Sequence, residues 1–330
     1  MAEQGMADQA MAHRAPPILC LSHADVMRLV APARAIEALA EGFKALSRGD
    51  VQAPSRPMVT VPGKGFSLAM LAFAPGQMIA LKTVSVFHGN HALGLESHQA
   101  LVSLFDPATG APVAIIDGAS LTAIRTTAAA VLSVRELARP DARVVTVVGA
   151  GVQGREHVRQ LALARPFAEI RVFARSRMAA EQAVAGTANA VIAADLEPAI
   201  QTADVVCLTT SAATPVLDAH WIKAGTHVTS VGYAPPGSEV PGALIDRASL
   251  FVEALAAFQP APVGCVELAG RDAIGSAEIG EVLLGRKPGR TTAGQITLYK
   301  SMGNAMEDLV VANLAFAEAQ RQGAGQSIRL

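Results

Sequence analysis

The 330-residue chain is poor in cysteine and lysine and has no excess of charge of either sign. Its three cysteines, Cys20, Cys207 and Cys265, are widely spaced and form no Cys-x-x-Cys pair. That argues against a disulfide framework and a cysteine-based metal site, and no metal is expected. Lys and Arg number 27 against 28 Asp and Glu, leaving a formal net charge of −1. Without a basic field there is nothing to attract a phosphate backbone or an anionic lipid surface, so neither nucleic-acid nor membrane partners are expected. No apolar run approaches the ~18 residues of a membrane helix. Residues 1–17 are polar and alanine-rich, lack the apolar stretch of a secretion signal, and read as a disordered tail. A reducing, cytoplasmic setting is the matching expectation.

The chain does have a large apolar fraction: 51% hydrophobic residues against 17% charged. That supports an extensive buried interior, and the length exceeds what one core usually organises, so two domains are expected. Ser22 can cap a short helix, and Pro32 opens a longer one through Ser47, with Ile36, Leu39, Ala40 and Phe43 at helical spacing. From Val51 to Ile116 short apolar runs punctuated by Pro and Gly predict strands, with Asp106–Gly110 as a hairpin loop. Ser120–Arg139 reads as a long helix capped by Ser120 or Thr122. From Arg143 strands and helices alternate, as in a parallel sheet covered on both faces. A strand at Gln295–Lys300 and a helix at Ser301–Gln320 precede a Gly/Gln-rich tail.

Val148-Gly149-Ala-Gly151-Val152-Gln153-Gly154 follows a β-rich strand and opens a helix, the context in which GxGxxG binds a dinucleotide. Gly149 serves the tight turn, Gly151 the approach of a pyrophosphate, and Gly154 the close packing of helix on strand. The helix N-terminus offers free N–H groups and a positive dipole end. After the second strand no acid stands ready for a ribose 2′-OH. Arg175-Ser176-Arg177 occupies the place, and Arg and Ser suit a 2′-phosphate. NADPH is therefore expected in preference to NADH, with NADH possible.

Of the six lysines, Lys82 shares a strand face with Ala80, Val84 and Val86. An ammonium there costs several kcal/mol unless paired or hydrated. It is either an edge lysine snorkelling to water or a functional group. Arg125 lies among apolar neighbours at the start of an alanine-rich helix, and Arg56 on a proline-flanked loop. Converging, the three would suit a small carboxylate. His88, His91 and His98 match no helical ligand pair and read as loop or substrate-edge histidines. His157 is expected to face solvent.

Ala80-Leu-Lys-Thr83, Leu104–Gly110, Leu121–Ala128, Val148–Gly154 and Tyr299-Lys-Ser-Met-Gly303 together resemble the ornithine cyclodeaminase/μ-crystallin family, in the family's order, over about residues 20–315. The resemblance implies an α/β chain with a Rossmann dinucleotide-binding domain (127–302). It also implies an α+β substrate and dimerisation domain built from the N-terminal segment and the last helix (18–126 and 303–330). It implies a homodimer. It places Arg56, Lys82 and Arg125 at the substrate, with Lys82 catalytic. The candidate cofactor contacts are Thr126, Gly149, Gly151, Val152, Gln153, Gly154, Arg175, Ser176, Arg177, Thr209, Thr210, Ser211, Val231, Gly232, Ser301 and Gly303. One position departs. Cyclodeaminases resemble one another in a Gly-Gly-Asp-x-Pro-Gly loop after the fifth Rossmann strand, and here Val231–Val240 has no aspartate, with Ala234 or a neighbour in its place. An alanine cannot manage an amine and a water. The resemblance then points to the family's reductase branch, with Δ1-pyrroline-2-carboxylate or Δ1-piperideine-2-carboxylate reduced to L-proline or L-pipecolate. Cyclodeamination, an alanine-dehydrogenase-like activity and a non-catalytic ligand-binding role are the alternatives.

Overall fold

Two sheets organise the chain, and the computed structural model describes residues 17–329 of it. The expected tail falls outside the described residues except for Pro17. The first part runs β1 (Ile18–Leu21), α1 (His23–Leu29), α2 (Pro32–Arg48), β2 (Met58–Val61), β3 (Gly65–Ala72), β4 (Ile79–Phe87), β5 (His98–Phe105), β6 (Pro112–Asp117) and α3 (Gly118–Leu137). There follow β7 (Val144–Val148), α4 (Val152–Ala164), β8 (Glu169–Phe173), α5 (Arg177–Val184), β9 (Ala190–Ile192), α6 (Leu196–Gln201), β10 (Val205–Leu208) and β11 (His227–Ser230). The chain ends with α7 (Gly242–Arg247), β12 (Ser249–Val252), β13 (Ala277–Glu278), α8 (Ile279–Leu283), β14 (Thr297–Lys300), α9 (Ala305–Gln322) and β15 (Gln326–Ile328).

The second sheet, in the order β13-β12-β14-β11-β10-β7-β8-β9, is parallel throughout. Both faces of its centre are covered: β10, β11 and β14 are buried at every residue, although β11 and β14 carry polar side chains. The strand order reverses between β7 and β10, which leaves a crevice at their carboxyl ends. The first sheet, β15-β1-β6-β5-β4-β3-β2, is mixed: β1 pairs parallel with β6, and the other pairings are antiparallel. Its inward residues, among them Leu68, Met70, Ala80, Val102 and Leu104, pack against α3 and α9, and α2 packs on those helices in the same apolar core.

Three differences from the sequence reading have physical reasons. The tail after the last helix contributes β15, which pairs antiparallel with β1 and closes that sheet edge. Helix α3 is capped by Asp117, which accepts from Ser120 N at 2.8 Å, so the turn starts two residues early and Thr122 lies inside it. Helix α9 starts at Ala305, because Asn304 and Glu307 form a capping box; Ser301–Gly303 is a connecting loop.

Candidate active site

Strand alternation carries Lys82 inward from β4, and helix α3 brings Arg125 to the same place from the other side. Both meet Asp308, in the first turn of α9. Lys82 Nζ donates to Asp308 Oδ1 at 3.0 Å and to Thr122 Oγ1 at 2.6 Å; Arg125 Nε donates to Asp308 Oδ1 at 3.2 Å. Lys82 and Asp308 are each 1% exposed, so the pair is fully desolvated. Burial pulls the Lys82 ammonium down to about 8; Asp308 opposes the fall and Arg125 adds to it. Asp308 resists the upward push of burial because Arg125 and Lys82 outweigh it, and its carboxyl stays below the usual range. Its second oxygen, Oδ2, is buried without a partner.

Arg125 Nη1 also donates to Glu307 Oε2 at 3.1 Å. Burial disfavours its charge, but Asp308, Glu307 and Glu253 raise the guanidinium above its ordinary value. Glu307 behaves oppositely: burial first, then neighbouring Glu253, hold its carboxyl well above the usual carboxylate range. Arg56 reaches the cluster from the loop before β2. Its Nη2 donates to Gly303 O at 3.0 Å. Gly303, at φ 87°, lies against the Arg125 guanidinium, where a Cβ would come within 2.8 Å of Arg125 Nη1 and Nη2. The two arginines thus flank one residue of the Ser301–Gly303 loop. Beside them opens a cavity of about 120 Å³, lined by Arg56, Met70, Glu253, Met302, Gly303 and Asn304. That is well below the ~300–1,000 Å³ of drug-sized sites, so only a small ligand fits. His98, on the same face of β5, is lowered to about 4 by burial and then by Lys82 and Arg125, and is neutral.

The glycine turn passes the test for a dinucleotide. A Cβ on Gly154 would stand 2.1 Å from Gly149 O, and one on Gly149 2.6 Å from Thr209 Oγ1, so both glycines serve packing. A Cβ on Gly151 meets nothing within 4 Å: the backbone there faces open space at the N-terminus of α4, as an approaching phosphate requires. Val152 is exposed beside it, while the Gln153 side chain turns away to Thr127 Oγ1 at 3.2 Å. Arg175, Ser176 and Arg177 are exposed at the end of β8; Ser176 caps α5, and Arg177 pairs with Glu181 at 3.0 Å. Thr126 is buried in α3. Thr209 and Thr210 follow β10 and spend their hydroxyls on Val148 O and Glu239 Oε2; Ser211 is exposed. Val231 and Gly232 follow β11, half-buried. Ser301 is buried with its hydroxyl donated to Glu253, which also accepts Gly303 N.

Asp308, Glu307, Glu253 and Thr122 escaped the sequence reading. A signal existed for Asp308, an acid between the buried Met306 and Leu309, but acids in a first helical turn have an ordinary explanation in the helix dipole. His157 corrects an expectation. It is fully buried, with Nδ1 at 2.8 Å from Gln153 O, because α4 turns this face onto α3; burial lowers it to about 4. Among the described residues no three His, Cys, Asp or Glu side chains converge as metal ligands, and no helix is long and apolar enough to cross a membrane.

A parallel sheet reversing at a glycine turn, joined to a mixed-sheet lobe with a buried basic and acidic cluster, defines a two-lobed α/β protein of the dinucleotide-binding class. Within that class the chain belongs to the ornithine cyclodeaminase/mu-crystallin family, whose sequence profile matches residues 18–323. It is 34% identical to the ketimine reductase mu-crystallin of Mus musculus over 285 residues, 85% of this chain and 90% of that one. Its fold is similar to that of the Thermococcus litoralis Δ1-pyrroline-2-carboxylate reductase in complex with NADH and L-proline. The TM-score there is 0.88 at 29% identity, covering 94% of this chain and all of that one (100%). An archaeal alanine dehydrogenase dimer with bound NAD is similar at TM-score 0.84 and 29% identity, over 96% of this chain and 100% of that one.

Proposed function

We propose that the chain is an NAD(P)H-dependent imine reductase that converts a cyclic α-imino acid, Δ1-pyrroline-2-carboxylate or Δ1-piperideine-2-carboxylate, to L-proline or L-pipecolate. The observation that carries this reading is the meeting of Arg56, Lys82 and Arg125 around Gly303 and Asp308, next to a cavity sized for a small acid. When bound, the reduced nicotinamide supplies the hydride. Arg56 and Arg125 hold the substrate carboxylate; the forks already share one loop, so little ordering is left to the moment of binding. Lys82 supplies a proton toward the imine nitrogen. At about 8 its ammonium is acidic enough to give up a proton near neutrality yet is charged below that pH. Asp308 and Thr122 hold its Nζ in place. Neutral His98 adds no competing charge.

NADPH is the favoured cofactor. The support is Arg175, exposed at the end of β8 with no ion-pair partner among the described residues, and the lack of an acid there. The chain works as a homodimer through residues 18–126 and 303–330. Val59, Leu71 and Leu101 stand 69%, 43% and 45% exposed on the mixed-sheet face turned away from the helices, and the alanine dehydrogenase relative is a dimer. The deciding assay is NADPH and NADH oxidation with Δ1-pyrroline-2-carboxylate, set against ornithine and against pyruvate with ammonia. Oxidation with the cyclic imine alone is expected. Ammonia release from ornithine without net cofactor change would replace this reading with cyclodeamination, and turnover with pyruvate and ammonia would replace it with an open-chain dehydrogenase.

A further inference from the structure

Glu239 lies between β11 and α7, 1% exposed, and its carboxylate ties two loops together. Oε2 accepts from Thr210 N at 2.8 Å and from Thr210 Oγ1 at 2.7 Å, in the loop that leaves β10. Oε1 accepts from Ser230 Oγ, at the end of β11, and from Gly232 N, in the loop that leaves it, both at 2.8 Å. The fit is close: a Cβ on Gly232 would lie 2.5 Å from Glu239 Oε1. A second brace lies behind it. Lys300 Nζ donates to Gly232 O at 2.6 Å and pairs with Glu267 at 3.2 Å, and Ser238 Oγ donates to Glu267 Oε1 at 2.9 Å.

These two loops occupy a particular place. Strands β7, β10 and β11 are neighbours, and the glycine turn ends β7 in contact with Thr209. The adenosine half of a dinucleotide belongs on the β8 side of that turn, at Arg175, and its pyrophosphate at Gly151. Its nicotinamide half then extends over the carboxyl ends of β10 and β11. A carboxylate has about four acceptor positions, and here Thr210, Ser230 and Gly232 take four. Glu239 therefore has nothing left with which to touch a ligand and acts only through what it holds.

We propose that Glu239 is the positioning residue for the nicotinamide end of the cofactor, clipping the loops after β10 and β11 into one wall before the cofactor arrives. The inference rests on the dinucleotide reading above. Glu239→Gln tests it, because an amide turns a donor toward one of the loops and releases it. With NADPH binding followed by fluorescence and ADP-ribose binding by calorimetry, the variant is expected to bind ADP-ribose as the wild type does. Its NADPH affinity should fall and kcat should drop by about 100-fold, the scale of a ring misplaced by ~1 Å, while KM for the imine changes little. Deuteride transferred from one labelled face of the nicotinamide should also leak to the other. Ser230→Ala removes one donor and neither loop, and carries the same test if Glu239→Gln does not fold, with smaller effects in the same direction. Unchanged NADPH affinity and kcat, or a parallel loss of ADP-ribose and NADPH binding, overturns the proposal. A wild-type protein that binds no ADP-ribose overturns the dinucleotide reading itself, and the proposal with it.

Discussion

Replacing Asp308 by Asn removes one charge from a place where two cations depend on it. Lys82 and Arg125 both donate to Oδ1, at 3.0 and 3.2 Å, and Lys82 and Asp308 are 1% exposed, so no solvent replaces the lost charge. Breaking a buried pair by removing one partner costs about 3–5 kcal/mol. Asn keeps the shape and one acceptor, which places the expected loss near ~3 kcal/mol. Urea denaturation at fixed protein concentration reads it: with a slope of about 3 kcal/mol/M, the midpoint falls by about 1 M. Lys82→Met should cost less, because Asp308 keeps Arg125. The double variant should cost less than the sum of the two, since the singles share a contact. The same substitution should change the pH profile. Asp308 raises the Lys82 value, so its loss lowers it further below about 8. Lys82 is charged below its pKa, and the alkaline fall in kcat/KM therefore moves to lower pH. An Asp308→Asn protein with the wild-type urea midpoint, or with an alkaline limb at unchanged or higher pH, would refute the reasoning.

Five other outcomes follow from the structure. Lys82→Met should abolish imine reduction while NADPH binding by fluorescence is retained. In the wild type, kcat/KM for imine reduction should be sustained below about 8 and lost as pH rises through it, because the proton leaves Lys82 there. Gly154→Ala forces a Cβ to 2.1 Å from a backbone carbonyl and should destabilise by about 1–3 kcal/mol. Gly151→Ala, with nothing within 4 Å, should keep the melting temperature but weaken cofactor binding. Arg175→Asp should shift the ratio of kcat/KM from NADPH toward NADH; a ratio unmoved by the change would remove Arg175 from cofactor choice.

Local chemistry made the parallel sheet legible. A glycine turn between a β-rich strand and a helix, followed by alternating elements from Arg143, announced the parallel pairing of the strands from β7 onward. Lys82 was conspicuous because an ammonium on an apolar strand face needs a partner. The partner was not conspicuous: Asp308 is 226 residues away, and only the return of α9 to the first sheet brings it there. Helix boundaries failed where two caps competed. Ser120 and Thr122 are good capping residues, but Asp117 took the role, and that freed the Thr122 hydroxyl for Lys82. His157 was misread because one polar side chain in a helix says little about which face the neighbouring helix will cover.

The docking of α9 sets an order in time. Three cations near the site come from residues 56, 82 and 125, while Glu307 and Asp308 come from a helix that leaves the ribosome after the whole parallel sheet. During synthesis Lys82 and Arg125 therefore wait for their carboxylates until α9 has followed the parallel sheet. The parallel sheet, whose strands all precede α9, can assemble first. Strand β15 then seals against β1, so the segment that follows the parallel sheet is both counter-ion and closure for the lobe that precedes it.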